Sequence, residues 1–313
     1  MTLTPRWLPA GLAGCALLLA AMATASLAIG AVDLPLHAVR EQLATHDGIV
    51  WKVRVPRTVL GLCVGAALGV AGALMQALTR NPLADPGLLG VNAGAAAAVV
   101  LGIVAGAPES TRLVSALLGA ALAAGVVVAL RGNLVLAGAA VTACLTGLVA
   151  GLTMTSQDAF DHYRFWVVGT LADQPLDALT PAAPILLAGL AIALAVGRSL
   201  DVIALGDDSG AALGADPDRT RAWGLLGVTL LCGAATALVG PIGFLGLAVP
   251  HAARLICGPR IRWIVGYSLA LGPLVLLAAD IAGRVAARPG EIEVAILMGV
   301  IGAPVFIALV RSR

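Results

Sequence analysis

The sequence predicts an all-α polytopic membrane protein of about ten transmembrane helices, and three observations carry that prediction. Of 313 residues, 60% are hydrophobic and 12% charged, with a mean hydropathy of +0.99, too apolar for a water-soluble globule. The apolar residues fall in runs close to the roughly 20 residues that cross a bilayer core as a helix. Between those runs no segment is long enough for a soluble domain, so residues 1–313 read as a single transmembrane domain.

In chain order, the first run covers residues 9–31 and follows Arg6. Its small residues resemble a secretory leader. It is read as a first membrane helix, because a cleaved leader would leave an odd number of crossings. The segment 32–52, with Asp33, Arg40, Glu41 and Asp47, suits an amphipathic helix on the outer surface. The second run, 57–80, repeats Gly61, Gly65 and Gly69 at four-residue spacing. That spacing puts small residues on one face and lets backbones approach, either inside one subunit or at a dimer seam. Such a helix belongs at the centre of a bundle.

Asn81, Pro82 and Leu83 open a turn that closes with Asp85-Pro86. Proline lacks an amide hydrogen and disfavours helix in the residue before it, so the chain must bend there. Runs at 90–106, 112–130 and 134–155 follow, then an outer segment, 157–177, with four aspartates and a partly amphipathic pattern. After a run at 179–197 comes the inner segment 204–221, ALGDDSGAALGADPDRTR. Gly206 and Gly214 break it, and Asp207, Asp208 and Ser209 are capping types, so it reads as two short helices joined by a glycine turn. The last runs are 222–239, 243–257, 263–283 and 293–310.

With the N-terminus inside, eleven of the 19 basic residues fall on inner loops, Arg6, Arg131 and Arg313 among them. The positive-inside rule favours that orientation, with both termini cytoplasmic. The net charge of +2 is small and spread over short loops, which argues against nucleic-acid binding. Cys15, Cys63, Cys144, Cys232 and Cys257 lie singly in or beside apolar runs and read as small hydrophobes.

No Walker A, HExxH or GxSxG motif is present, and His37, His46 and His162 lack metal-site spacing, so the sequence offers neither catalytic residues nor a metal site. The acid clearly inside a run is Asp280 in LLAADIAGR. A membrane carboxylate is expensive and hence a functional candidate, but Arg284 follows one turn later. A structural ion pair at i, i+4 and a proton relay are the two readings.

RVPR, GAALGVAGALMQALTRNPLADPGLLGVNAGA, ALGDDSGAALG, GPIGFLGLAVPHAARL, LLAADIAGR and MGVIGAPVFIALV follow one another from about residue 50 to the C-terminus. In that order they are similar to the FecCD or BtuC-like family, permease subunits of bacterial ABC importers for ferric siderophores, heme and cobalamin. The resemblance implies a ten-helix permease of the bacterial inner membrane, multi-pass in lipid, paired with a second permease subunit as a homodimer or close heterodimer. It also implies two cytoplasmic ABC ATPase subunits, and a substrate-binding protein that is periplasmic or lipid-anchored. No cofactor would be bound by this chain, with ATP and Mg on the partner ATPase, and the chain itself would be no enzyme. The cargo implied is a ferric siderophore first, with heme or cobalamin as alternatives; an ion-coupled secondary transporter relying on Asp280 and a non-transporting scaffold are the rivals.

The resemblance also assigns roles. Arg54, Arg57 and Arg284 match basic residues that dock the binding protein at the outer mouth; interfacial snorkelling is the plainer reading. Asn81, Pro82 and Leu83 match an inner gate, against a purely structural turn. Leu205, Gly206, Asp207, Asp208, Ser209, Gly210, Ala211, Leu213 and Gly214 match the helices that couple to the ATPase. Pro250-His251 fits the family as a structural pair. The chain departs from the family near its end, where Glu291-Ile292-Glu293-Val294-Ala295 stands in place of a Glu-Leu-Pro-Val-Gly pattern. That substitution puts the shape of the outer vestibule in doubt.

Overall fold

The computed structural model describes residues 7–130, 133–172 and 174–311, and contains no strand among them. Arg6, Arg131 and Arg313, counted above on the inner side, lie outside the described residues. Thirteen α-helices run in chain order: α1 (Leu8–Ala28), α2 (Leu36–Thr45), α3 (Val55–Leu78), α4 (Val91–Val104), α5 (Arg112–Ala129), α6 (Leu134–Thr155), α7 (Gln157–Trp166), α8 (Leu179–Ile203), α9 (Asp207–Ala212), α10 (Pro217–Val239), α11 (Leu245–Cys257), α12 (Ile261–Ala286) and α13 (Val294–Arg311). Each of the ten apolar runs falls on one helix. Seven of those helices are long and apolar enough to cross a membrane, and α4, α11 and the described part of α13 are shorter.

The amphipathic segments are α2 and α7. The segment 204–221 departs in part from expectation: its first half is the short helix α9, but its second half is the opening of α10, which runs unbroken to Val239. Asp216 caps that helix by accepting the Arg219 amide at 3.0 Å, and Pro217 at the first position fits the helix start. A helix that begins with a good cap and meets no breaker continues.

Helix α3 is the hub. It packs on α12, α10 and α11, and its Leu60, Val64, Val70, Leu74 and Met75 are fully buried. A Cβ on Gly65 would sit 2.5 Å from the Pro273 Cα, and one on Gly272 would sit 2.1 Å from the Gly65 carbonyl oxygen, so α3 and α12 cross backbone to backbone there. A Cβ on Gly72 would lie 1.8 Å from the Gly246 oxygen of α11, a collision no rotamer relieves. Gly69 faces the Ser268 carbonyl, and Gly61 faces the more yielding Leu277 side chain. Packing of this kind holds helices together where lipid removes the hydrophobic drive between them.

Candidate functional site

Two clusters of charge lie at opposite ends of the bundle. At the end that the positive-inside reading makes the outer one, one turn of π-helix, Val50–Arg54, feeds α3 and brings Arg54 and Arg57 against the end of α1 and the last turns of α12. The last carbonyls of α1 have no partner within the helix, and the negative end of its dipole is there. Arginines supply what is missing. Arg54 donates to the carbonyls of Leu27 (3.0 Å), Ala28 (2.7 Å) and Val32 (2.6 Å). Arg284 donates to Ser26 (2.8 Å) and Ile29 (3.1 Å), and Arg288 to Gly30 (2.7 Å).

Asp280 sits beneath them with no exposed surface. Arg57 donates to it through Nε at 2.8 Å and Nη2 at 2.7 Å, and Arg284 pairs with its other oxygen. The i, i+4 ion pair is therefore present, and Arg57 adds a second cation to the same carboxylate. Arg57 also reaches Glu291, so the acidic segment before α13 supplies a counter-charge rather than a free vestibule surface. Ser26 and Thr58 complete the network with a 2.8 Å hydroxyl contact.

The three arginines meet around a small cavity of about 100 Å³, lined also by Val32 and Glu291. Their placement differs from the sequence expectation of residues reaching outward. Arg54, Arg57 and Arg284 are 4%, 3% and 1% exposed, turned inward to carbonyls at and just beyond the end of α1 and to Asp280 and Glu291.

At the opposite end, read from the sequence as the inner one, Asn81 closes its own turn: its side-chain oxygen accepts the Leu83 amide at 2.9 Å and its carbonyl accepts from Ala84. Asp85 caps the following 3-10 turn through the Gly87 amide at 2.8 Å. Neighbouring helices grip that turn. A Cβ on Gly138 of α6 would lie 1.6 Å from the Leu88 oxygen, and one on Gly246 would lie 2.7 Å from the Pro86 ring. Leu83 stays half exposed.

Helix α9 hangs between Ile203 and Gly214, with both flanking glycines at positive φ, 117° for Gly206 and 85° for Gly214. Leu205 and Leu213 project at 68% and 67% exposure, Gly210 is buried against Ile203, and Asp208, Ser209 and Ala211 lie on the same six-residue helix. Asp207 ties it to the rest. It pairs with Arg80, which sits between α3 and the Asn81 turn and also donates to the Ile203 carbonyl at 2.7 Å, and it accepts from Arg221 of α10 at 2.6 Å. These two arginines hold the Asp207 carboxyl below the usual carboxylate range.

Sequence reasoning did not single out the Arg80–Asp207–Arg221 bridge, the Glu291–Arg57 pair or Arg288. It also passed over Gln76, a lone amide in an apolar run. Gln76 donates to the Leu247 carbonyl at 3.1 Å and accepts from Arg254 at 3.2 Å, joining α3 to α11. A polar residue inside an apolar stretch was the signal for Gln76. The Arg80–Asp207 and Arg57–Glu291 pairs each span more than a hundred positions of sequence and left none. His251 is buried in the middle of α11.

The model of the FecCD transport family matches residues 17–312. The chain is 46% identical to the ferric enterobactin transport system permease protein of Escherichia coli (strain K12), over 95% of this chain and 94% of that one. It is 36% identical to the Fe(3+) dicitrate transport system permease protein of the same organism, covering 96% of each. With the hemin transport system permease protein of Yersinia pestis it shares 34% identity, over 95% and 94%. Among solved structures, an inward-facing conformation of a metal-chelate type ABC transporter superposes with a TM-score of 0.88 at 28% identity, covering 97% of this chain and 100% of that one.

Proposed function

We propose a transport role from one premise: the chain belongs to the FecCD transport family. It is the permease subunit of an ABC importer for a metal chelate, of the siderophore type, and the observation that carries this reading is near full-length 46% identity to a ferric enterobactin permease. Ferric siderophore is the first cargo; heme and cobalamin, carried by other relatives, are the alternatives. The chain is a multi-pass membrane protein of the inner membrane and a translocation subunit.

The finer assembly is our reading. The shorter helices α4, α11 and α13 complete ten crossings, with both termini cytoplasmic. A second permease, a copy of this chain, forms the path with it; two ATPase subunits supply ATP hydrolysis, and a substrate-binding protein delivers the chelate. Exposed Leu205 and Leu213 enter the ATPase groove, and movement of α9 passes through Asp207 to Arg80 and so to the Asn81–Pro82–Leu83 turn, which acts as the inner gate. At the outer end Arg54, Arg57 and Arg284 take part in docking indirectly. They fix the ends of α1, α3 and α12 into the platform on which the binding protein sits, and the binding protein's acids meet its rim. Gly61, Gly65 and Gly69 serve packing inside the subunit rather than the dimer seam.

Asp280 is held by two arginines, which supports a structural role over ion coupling. Reconstitution with the ATPase and binding protein tests the whole reading. Uptake of ferric enterobactin should require ATP and stop when the ATPase's catalytic residue is disabled. Uptake that persists would establish a secondary transporter, and preference for heme or cobalamin would change the cargo.

A further inference from the structure

We propose that the groove between α1, α8 and α12, at the end of the bundle that carries α9, binds one anionic phospholipid. The groove encloses about 640 Å³. Its wall is apolar, built by Leu12 of α1, Leu194 of α8 and Trp263 of α12, and its rim carries Arg198, Arg260 and Arg262. All three arginines are exposed, and none is in a charge pair within 4 Å among the described residues.

The acid lining the groove, Asp201, accepts the Ile261 amide at 2.6 Å and so starts α12, and it also attracts Arg260 and Arg262. Three cations and one carboxylate leave the rim at +2. The Arg262 stem crosses α8 at Gly197, where a Cβ would stand 3.3 Å from the Arg262 Cγ. The absence of a side chain at that point seats the stem on α8 and leaves the guanidinium at the rim.

The occupant follows from the combination. A soluble anion would satisfy the rim and leave the apolar wall bare, whereas a phospholipid lays an acyl chain on the wall and its phosphate among the guanidinium groups. The groove faces where lipid is available, since α1 is only 6% buried in its apolar window. Helix α8 runs from Asp201 at this groove directly into Gly206 and α9. A bound headgroup therefore steadies the stem from which the coupling helix hangs.

Native mass spectrometry of the full chain in detergent tests the site with three probes: phosphatidylglycerol, phosphatidylcholine and inorganic phosphate. One phosphatidylglycerol should be retained in preference to phosphatidylcholine. The R198Q/R260Q/R262Q variant should bind it about a hundredfold more weakly, at about fivefold per arginine, while the triple lysine variant keeps most of the affinity. Equal retention of both lipids, or unchanged binding by the glutamine variant, would overturn the proposal. Displacement of the lipid by millimolar inorganic phosphate would overturn it in favour of a soluble anion. Should the triple variant fail to insert, R198Q alone leaves the α12 start intact and should lose about fivefold; no loss there overturns it equally.

Discussion

The two charge clusters use the same residue types under opposite physics. At the outer end Arg57, Arg284 and Asp280 are buried, Glu291 pairs with Arg57, and two α1-end carbonyls accept from Arg284 Nη1. At the inner end Arg80, Asp207 and Arg221 keep roughly 36–45% of their side chains in solvent. A buried pair cannot be broken without stranding a charge in a medium that does not solvate it, so the outer cluster works as a lock. An exposed pair exchanges its partners for water at little cost, so breaking the inner cluster strands no charge.

The largest effect should come from breaking the lock. Asp280→Ala strands Arg57 and Arg284, and loss of one partner of a buried pair costs about 3–5 kcal/mol. A large fall in thermal stability of the detergent-purified protein is expected; a melting curve within a degree or two of wild type would abolish the distinction between the clusters.

A smaller and different effect should follow at the inner end. Asp207→Asn should leave the melting curve nearly unchanged while lowering ATP-driven uptake several-fold, and the exchange Arg80→Asp with Asp207→Arg should recover part of it. Equal loss of stability at both ends would mean that Asp207 is another lock.

The smallest effect sharpens the comparison through pH and salt. Because the folded-state pKa of Asp207 is depressed, its contribution is fully present above the ordinary carboxylate value of 3.8 and is lost as pH falls below that through the folded value. Spin labels at Leu83 and Leu205 should therefore report one distance from pH 8 to pH 5 and a broader distribution only in stronger acid. Raising ionic strength at neutral pH should broaden it slightly, since exposed pairs are screened.

How much was legible in advance depended on the range of the interaction. All ten apolar runs became helices, because hydropathy and helix length are local properties. The Asn81 turn was legible because Pro82 and Pro86 act on their immediate neighbours. The Asp280–Arg284 pair was legible because helix periodicity places i and i+4 together. The inward turn of Arg54, Arg57 and Arg284 was not, since it depends on the open carbonyls of α1, and on Asp280 lying 223 positions from Arg57. Nor was the fusion of the second inner helix with α10, where the Asp216 cap read as the start of a separate short element.

By itself the sequence determined a helical, membrane-crossing chain of one recognisable family, with its glycines on one face of α3 and its turns in place. Those features follow from composition and from contacts a few residues apart. The tertiary structure decided which charge pairs are buried and which stay exposed to solvent. Burial and partner choice are set by helices that meet only after folding, and in a low-dielectric interior the partner fixes what a charge can do.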